Sequence, residues 1–203
     1  MPLSASAVRA NYERIREEVG PGVTVVAATK YVSLEELEVL VEAGVEVVGE
    51  NRLQDLADKH ARYGDAFRWH FIGHLQSRKA RDVSVLCELC HSLSSPSAAR
   101  RLTIPALAEV NLSGEETKSG VAPEALPGFL AEVREVGVEV RGLMTMPPLA
   151  DAPEASRPYF RRLRELAAEH ALEQLSMGTS QDYRVAVEEG ATLVRVGSVL
   201  YGR

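Results

Sequence analysis

Val23-Thr24-Val25-Val26-Ala27-Ala28-Thr29 is an apolar, β-branched run closed by Lys30, and the rest of the chain repeats its pattern. Ser33-Leu34-Glu35-Glu36 follows as a capping box and opens a helix to about residue 44. A second run, Val45-Glu46-Val47-Val48, ends at Gly49-Glu50-Asn51, and a helix then extends to about Tyr63. Further strands read at 69–72, 88–93, 106–110, 138–144, 174–177 and 192–196, with helices at 76–83, after Pro96, after Pro123, at 154–170 and at 181–189. Eight strands alternating with helices, all read as parallel, predict a (β/α)₈ TIM barrel; an open doubly wound sheet is the alternative. Only seven residues follow Val196, too few for a full eighth helix, so the amphipathic stretch 5–19 is expected to cover the barrel wall there.

The 203 residues are 45% hydrophobic and 26% charged, which suits a single domain over residues 1–203 with one substantial core. A net charge of -6 spread along the chain leaves no basic footprint for nucleic acid. No uncharged stretch reaches the roughly 20 residues that span a bilayer, and no secretory leader is read, so a cytoplasmic protein is expected. Cys87 and Cys90 lack a second ligand pair at zinc spacing and read as ordinary thiols. His70 and His74 read as strand-associated residues rather than a metal pair, and Arg161, Arg162 and Arg164 as a solvated helix face.

In a barrel, chemistry collects at the carboxyl ends of the strands. There the sequence places Lys30, Glu50 with Asn51, His74 with Gln76, Asn111, Ser176 with Gly178 and Ser180, and Arg195 with Gly197-Ser198. The first and eighth strands are neighbours in a closed barrel, so an amine lies beside a glycine and hydroxyls suited to a phosphate. Such a pairing is what a protein needs to hold pyridoxal 5′-phosphate, whose aldehyde condenses with lysine as a Schiff base. Burial among apolar residues is expected to lower the Lys30 amine pKa. Ser180 and Ser198 can offer hydroxyls to the phosphate, Gly197 close approach of backbone amides, and Asn51 an amide to the phosphate or the cofactor hydroxyl. Arg195, inside an apolar strand, needs an acceptor, for which the pyridine nitrogen is a candidate. A guanidinium there leaves that nitrogen unprotonated, a poor electron sink.

These residues make the chain recognisable. Ala28-Thr29-Lys30, Gly49-Glu50-Asn51 with Gln54, Trp69-His70-Phe71-Ile72-Gly73 with Leu75-Gln76-Ser77 and Lys79, Val110-Asn111 with Lys118 and Gly120, Leu143-Met144 with Pro147, Leu175-Ser176-Met177-Gly178 with Ser180 and Asp182, and Val194-Arg195-Val196-Gly197 resemble the YggS/PROSC family of pyridoxal phosphate homeostasis proteins. That family is related in fold to the N-terminal barrel of alanine racemase. Departures are small: Thr179 replaces a common methionine, Arg78 a frequent asparagine, and Ser198 to Tyr201 a segment that usually carries threonine and phenylalanine. The resemblance implies that Lys30 carries the cofactor, that Ser180, Gly197 and Ser198 hold its phosphate, and that Arg195 faces the ring nitrogen. It also implies a regulator or carrier in vitamin B6 homeostasis without catalytic residues or a metal, with apo-enzymes that use the cofactor as possible recipients. A monomer is expected. The competing reading is an amino-acid racemase, which would need a second acid/base from an additional β domain. The chain ends with the barrel, and no tyrosine is read at a strand end to substitute.

Overall fold

A computed structural model describes residues 3–115 and 117–202. Strands β1 (Thr24–Ala28), β2 (Val47–Glu50), β3 (Arg68–Phe71), β4 (Leu89–Leu93), β5 (Ala106–Glu109), β6 (Val140–Met144), β7 (Gln174–Thr179) and β8 (Leu193–Val196) pair in chain order, and β8 returns to β1. Every pairing is parallel, with Val26 opposite both Val47 on β2 and Arg195 on β8. The sheet closes on itself, which excludes the open doubly wound alternative. The helices are α1 (Ala5–Val19), α2 (Leu37–Glu42), α3 (Leu53–Tyr63), α4 (Ala80–Leu86), α5 (Pro96–Ala99), α6 (Leu126–Glu135), α7 (Arg157–Glu169), α8 (Tyr183–Glu188) and α9 (Ser198–Tyr201).

The capping box forms one turn ahead of α2. The Glu36 amide donates to Ser33 Oγ at 3.2 Å, and the Ser33 amide donates to Glu36 Oε2 at 3.0 Å. α9 is a single turn, and α1 packs against it and against α2 and α8. Val8, Tyr12, Ile15 and Val19 are its buried positions, spaced four, three and four apart. Asn11 Nδ2 donates to the Leu200 carbonyl at 3.1 Å, and Arg184 on α8 pairs with Glu18 at 2.9 Å.

Strand parity divides the apolar side chains into two layers. Val25, Ala27, Val48, Trp69, Phe71, Cys90, Leu175, Met177, Val194 and Val196 join the large cluster between sheet and helices. Val26, Val47, Leu89, Leu107, Met144 and Leu193, with Ile72 against them, form a second cluster. These residues take the opposite parity and fill the barrel. Both cysteines are buried free thiols, and burial pushes Cys90 up to about 11 and raises Cys87 as well, so neither has the thiolate character of a reactive site. Among the described residues no helix is long and apolar enough to cross a membrane.

Candidate functional site

The carboxyl ends of the strands open onto a cavity of about 1080 Å³. Lys30, Asn51, Ser180, Arg195, Gly197 and Ser198 all line it, as do His74 and Asn111. Parity explains the first three strands that contribute: Val26, Ala28 and Lys30 alternate toward the interior on β1, Val47, Gly49 and Asn51 on β2, and Leu193, Arg195 and Gly197 on β8.

Glu50 has the other parity and leaves the set. Its carboxylate is fully buried on the helix side, where Lys59 Nζ donates to Glu50 Oε1 at 3.1 Å and to the Thr29 carbonyl at 2.8 Å. Asn111 organises a loop: its Oδ1 accepts from the Ser113 amide at 3.1 Å and hydroxyl at 2.9 Å, while its Nδ2 donates to the Glu115 carbonyl at 2.9 Å. Lys30 is exposed, with Nζ 4.7 Å from the centre of the Tyr31 ring. The burial expected from the neighbouring apolar run is therefore not met, because the side chain projects past the last buried residue of β1.

Two glycines shape the rim. A Cβ at Gly73 would lie 1.9 Å from the Asn51 carbonyl oxygen, so the close approach that fixes the Asn51 backbone requires glycine. Gly178 takes φ +90°, and a Cβ there would come within 2.6 Å of Ala186 Cβ. Its turn leads to Ser180, and Asp182 pins that turn by accepting from the Thr179 amide at 2.7 Å and from Ser156 Oγ at 2.7 Å. Ser180 Oγ in turn accepts from the Gly197 amide at 2.9 Å and the Val199 amide at 3.4 Å.

Arg195 lies beneath these groups, buried, and finds its acceptors within the protein. Nη2 donates to the Thr145 carbonyl at 3.0 Å, and Nη1 donates to Ser176 Oγ. Burial lowers its pKa to about 10, which leaves it a cation at neutral pH.

Comparison with known proteins rests on this same length of chain. The family model described as the alanine racemase N-terminal domain matches residues 3–203. A pyridoxal phosphate homeostasis protein of Aquifex aeolicus is 40% identical over 217 residues, covering 97% of this chain and 95% of its own. The protein of the same name from Deinococcus radiodurans is 40% identical, covering 98% and 100%. This chain belongs to the pyridoxal phosphate homeostasis protein family. The solved structure of PipY from Synechococcus elongatus with pyridoxal phosphate bound superposes with a TM-score of 0.89 at 31% identity, covering 96% of this chain and 100% of that one.

Family membership sharpens attention on cavity residues that sequence reasoning passed over. Glu109 at the end of β5 is buried and lines the cavity, with Oε1 accepting from Ser119 Oγ at 3.0 Å and Oε2 lacking a hydrogen-bond partner. Burial raises its pKa. It shares parity with Leu107 and Asn111, and a carboxylate on the interior face of an apolar strand was the available signal. Tyr31 and Tyr201 also line the cavity, so the expectation that no tyrosine lies at a strand end is corrected: Tyr31 follows Lys30 directly.

Proposed function

We propose that this chain is a single barrel domain that binds pyridoxal 5′-phosphate at Lys30 and serves vitamin B6 homeostasis as a carrier or regulator rather than as an enzyme. It would act as a cytoplasmic monomer, with apo-enzymes that use the cofactor as recipients. When bound, the cofactor supplies an aldehyde that condenses with amines. The observation that carries the reading is the convergence of Lys30 with Ser180, Gly197 and Ser198 on one cavity above the buried Arg195 cation.

The residues fit the cofactor on three counts. A Cβ at Gly197 would make only ordinary contacts with Ala28, at 3.7 and 3.8 Å, and φ -133° is open to any residue, so packing within the protein does not demand glycine there. An anion approaching the amide does. The amides of Gly197 and Val199 converge on one acceptor, Ser180 Oγ, as donors for an anionic oxygen must. Asn51 Oδ1 is buried without a hydrogen-bond partner at the cavity wall, which suits a ligand hydroxyl.

The chain's residues divide the labour accordingly. Lys30 would supply the amine, Ser180, Ser198 and the 197–199 backbone would hold the phosphate, and Asn51 would orient the ring through its amide. Arg195 has only donors to offer, so a ring nitrogen placed against it would stay unprotonated, which opposes carbanion chemistry and the racemase reading. The family names agree, since the relatives are called homeostasis proteins.

Borohydride reduction of the protein loaded with cofactor, followed by digestion and peptide mapping, tests the reading. The pyridoxyl label is expected on Lys30. A label on Lys59, Lys79 or Lys118 would overturn the assignment.

A further inference from the structure

A line of polar side chains crosses the barrel interior below the cavity and reaches its opposite mouth. Arg195 Nη1 donates to Ser176 Oγ, Ser176 Oγ lies 2.8 Å from His91 Nδ1, His91 Nε2 lies 2.9 Å from His70 Nδ1, and His70 Nε2 lies 3.0 Å from Glu88 Oε1. Ser176, His91 and His70 are buried. Glu88 stands in solvent beside a second cavity of about 360 Å³, shared with Arg68 and Arg141, and Arg68 Nη2 holds it at 2.8 Å.

The two ends dictate the direction of every bond. A guanidinium can only donate and a carboxylate can only accept, so each group between them must accept from the cavity side and donate toward Glu88. His70 then donates from Nε2 to Glu88, His91 donates from Nε2 to His70 Nδ1, and the Ser176 hydroxyl donates to His91 Nδ1. Both imidazoles are assigned the same tautomer, fixed by the network. A proton added to His70 would set its Nδ1–H against the His91 Nε2–H, and one added to His91 would set its Nδ1–H against the Ser176 hydroxyl proton. The electrostatics agree: burial lowers the pKa of His70 and takes that of His91 well below the ordinary range, with the charge on Arg195 acting in the same direction on His91. Glu88 is held at about 2 by the His70 hydrogen bond and by Arg68, so it remains an acceptor.

We propose that Glu88, His70, His91 and Ser176 are positioning residues for the cofactor, a one-way hydrogen-bond chain that fixes the Arg195 guanidinium from below and ties it to a carboxylate at the far mouth. This rests on the proposed function, since the group positioned is the one assigned to the ring. The chain takes up one η nitrogen of Arg195 and the Thr145 carbonyl the other, so the plane of the guanidinium is set before any ligand arrives. A charge change at Glu88, outside the cofactor cavity, is then read at the Arg195 guanidinium through four hydrogen bonds.

Histidine side-chain ¹⁵N NMR of the cofactor-free protein tests the chain itself. His70 and His91 are expected as single, neutral Nε2–H tautomers near neutral pH; an Nδ1–H tautomer or a doubly protonated ring at either position would overturn it. Positioning is tested by loading pyridoxal phosphate onto the wild type, Ser176→Ala and Glu88→Gln, and measuring retention and the pH titration of the absorbance. Ser176→Ala is expected to weaken retention roughly tenfold, the worth of one hydrogen bond to a charged group. Glu88→Gln is expected to lower thermal stability by losing the Arg68 ion pair and also to shift the spectral titration of the loaded protein, a change that a purely structural role would not produce. Because Glu88 is exposed, that variant decides the matter even if Ser176→Ala fails to fold. Wild type that takes up no cofactor sinks the proposed function, whereas uptake with unchanged retention and titration in the folded variants sinks the positioning role alone.

Discussion

Lys59 reaches across from α3 to place its ammonium 3.1 Å from Glu50 Oε1, in a setting where both side chains are buried. The same nitrogen holds the Thr29 carbonyl at 2.8 Å, so one cation ties together the residues that immediately precede Lys30 and Asn51. Burial raises the Glu50 carboxyl pKa, and Lys59 opposes that rise. Removing one partner leaves the other buried and uncompensated. Lys59→Met is therefore expected to destabilise the cofactor-free protein by about 3–5 kcal/mol in urea denaturation, with Lys59→Met/Glu50→Gln recovering much of the loss. Equal stability of the single and wild-type proteins would show that the pair contributes nothing.

The proposed phosphate cradle gives a second prediction. Ser180→Ala with Ser198→Ala should weaken cofactor retention roughly tenfold or more, at about 1 kcal/mol or more per hydrogen bond to a charged group. The sequence alone suggests little change in the stability of the cofactor-free protein. The structure amends this, because Ser180 Oγ accepts from the Gly197 and Val199 amides at the start of α9. Ser180→Ala alone should lower that stability by about 1 kcal/mol, and Ser198→Ala, on an exposed residue, should not. Equilibrium dialysis and thermal melts of the three variants separate the two effects.

Much of this fold is legible in the sequence for a physical reason: strands covered on both faces read as unbroken apolar runs, and several of the helices between them start at a proline or, as at Ser33 and Ser95, beside a capping serine. β4 is the hardest strand to read because it carries His91-Ser92, side chains that look solvent-facing until the barrel interior gives them partners. The cavity lining is legible where a polar residue follows a strand, as at Lys30 and Asn51. Proximity to a strand end does not settle which way a side chain points, and Glu50 shows it. Alternation along the strand does: extending Val26 to Ala28 to Lys30, or Leu107 to Glu109 to Asn111, selects the interior residues and brings in Glu109. The partners of Arg195 come from β7 and from Thr145 just past β6, and no local pattern on β8 announces them.

The buried histidines predict a pH dependence of folding. Their folded pKa values lie below the 6.5 of a free imidazole, because burial penalises the charged ring. As the pH falls through 6.5 the unfolded chain binds protons that the folded chain refuses, so stability is lost downward from that point, by at most about 1.4 kcal/mol per pH unit for each histidine. Glu18 and Glu88 do not obscure the window. Each is held at about 2, Glu18 first by Arg184 and Glu88 first by His70, so their contributions are lost only below about 4.5. Urea midpoints of the cofactor-free protein should fall between about pH 6.5 and pH 5, and the fall should be shallower in a folded His91→Gln variant. Glu50 and Glu109, raised by burial, act in the opposite direction in both proteins, so the comparison decides: equal slopes in the wild type and a folded His91→Gln variant would mean that this ring charges without penalty.

The last prediction concerns what the loaded protein does not do. Arg195 remains a cation at neutral pH, with its pKa lowered only to about 10, and a donor-only group facing a pyridine nitrogen keeps that nitrogen unprotonated. Withdrawal of electrons into the ring is then weak, and a barrier higher by ~4 kcal/mol slows loss of the α-proton about a thousandfold. Tyr31 and Tyr201 line the cavity, so the presence of a tyrosine alone does not decide the matter, and the electronic argument carries the prediction. Incubating the loaded protein with L-alanine in deuterium oxide and following the α-proton by NMR should show no exchange at enzymatic rates and no D-enantiomer. Arg195→Glu, which offers the ring nitrogen an acceptor in place of a donor, should raise whatever slow exchange exists if the variant folds and retains the cofactor. Rapid exchange in the wild type that disappears in Lys30→Ala would replace the carrier with a racemase.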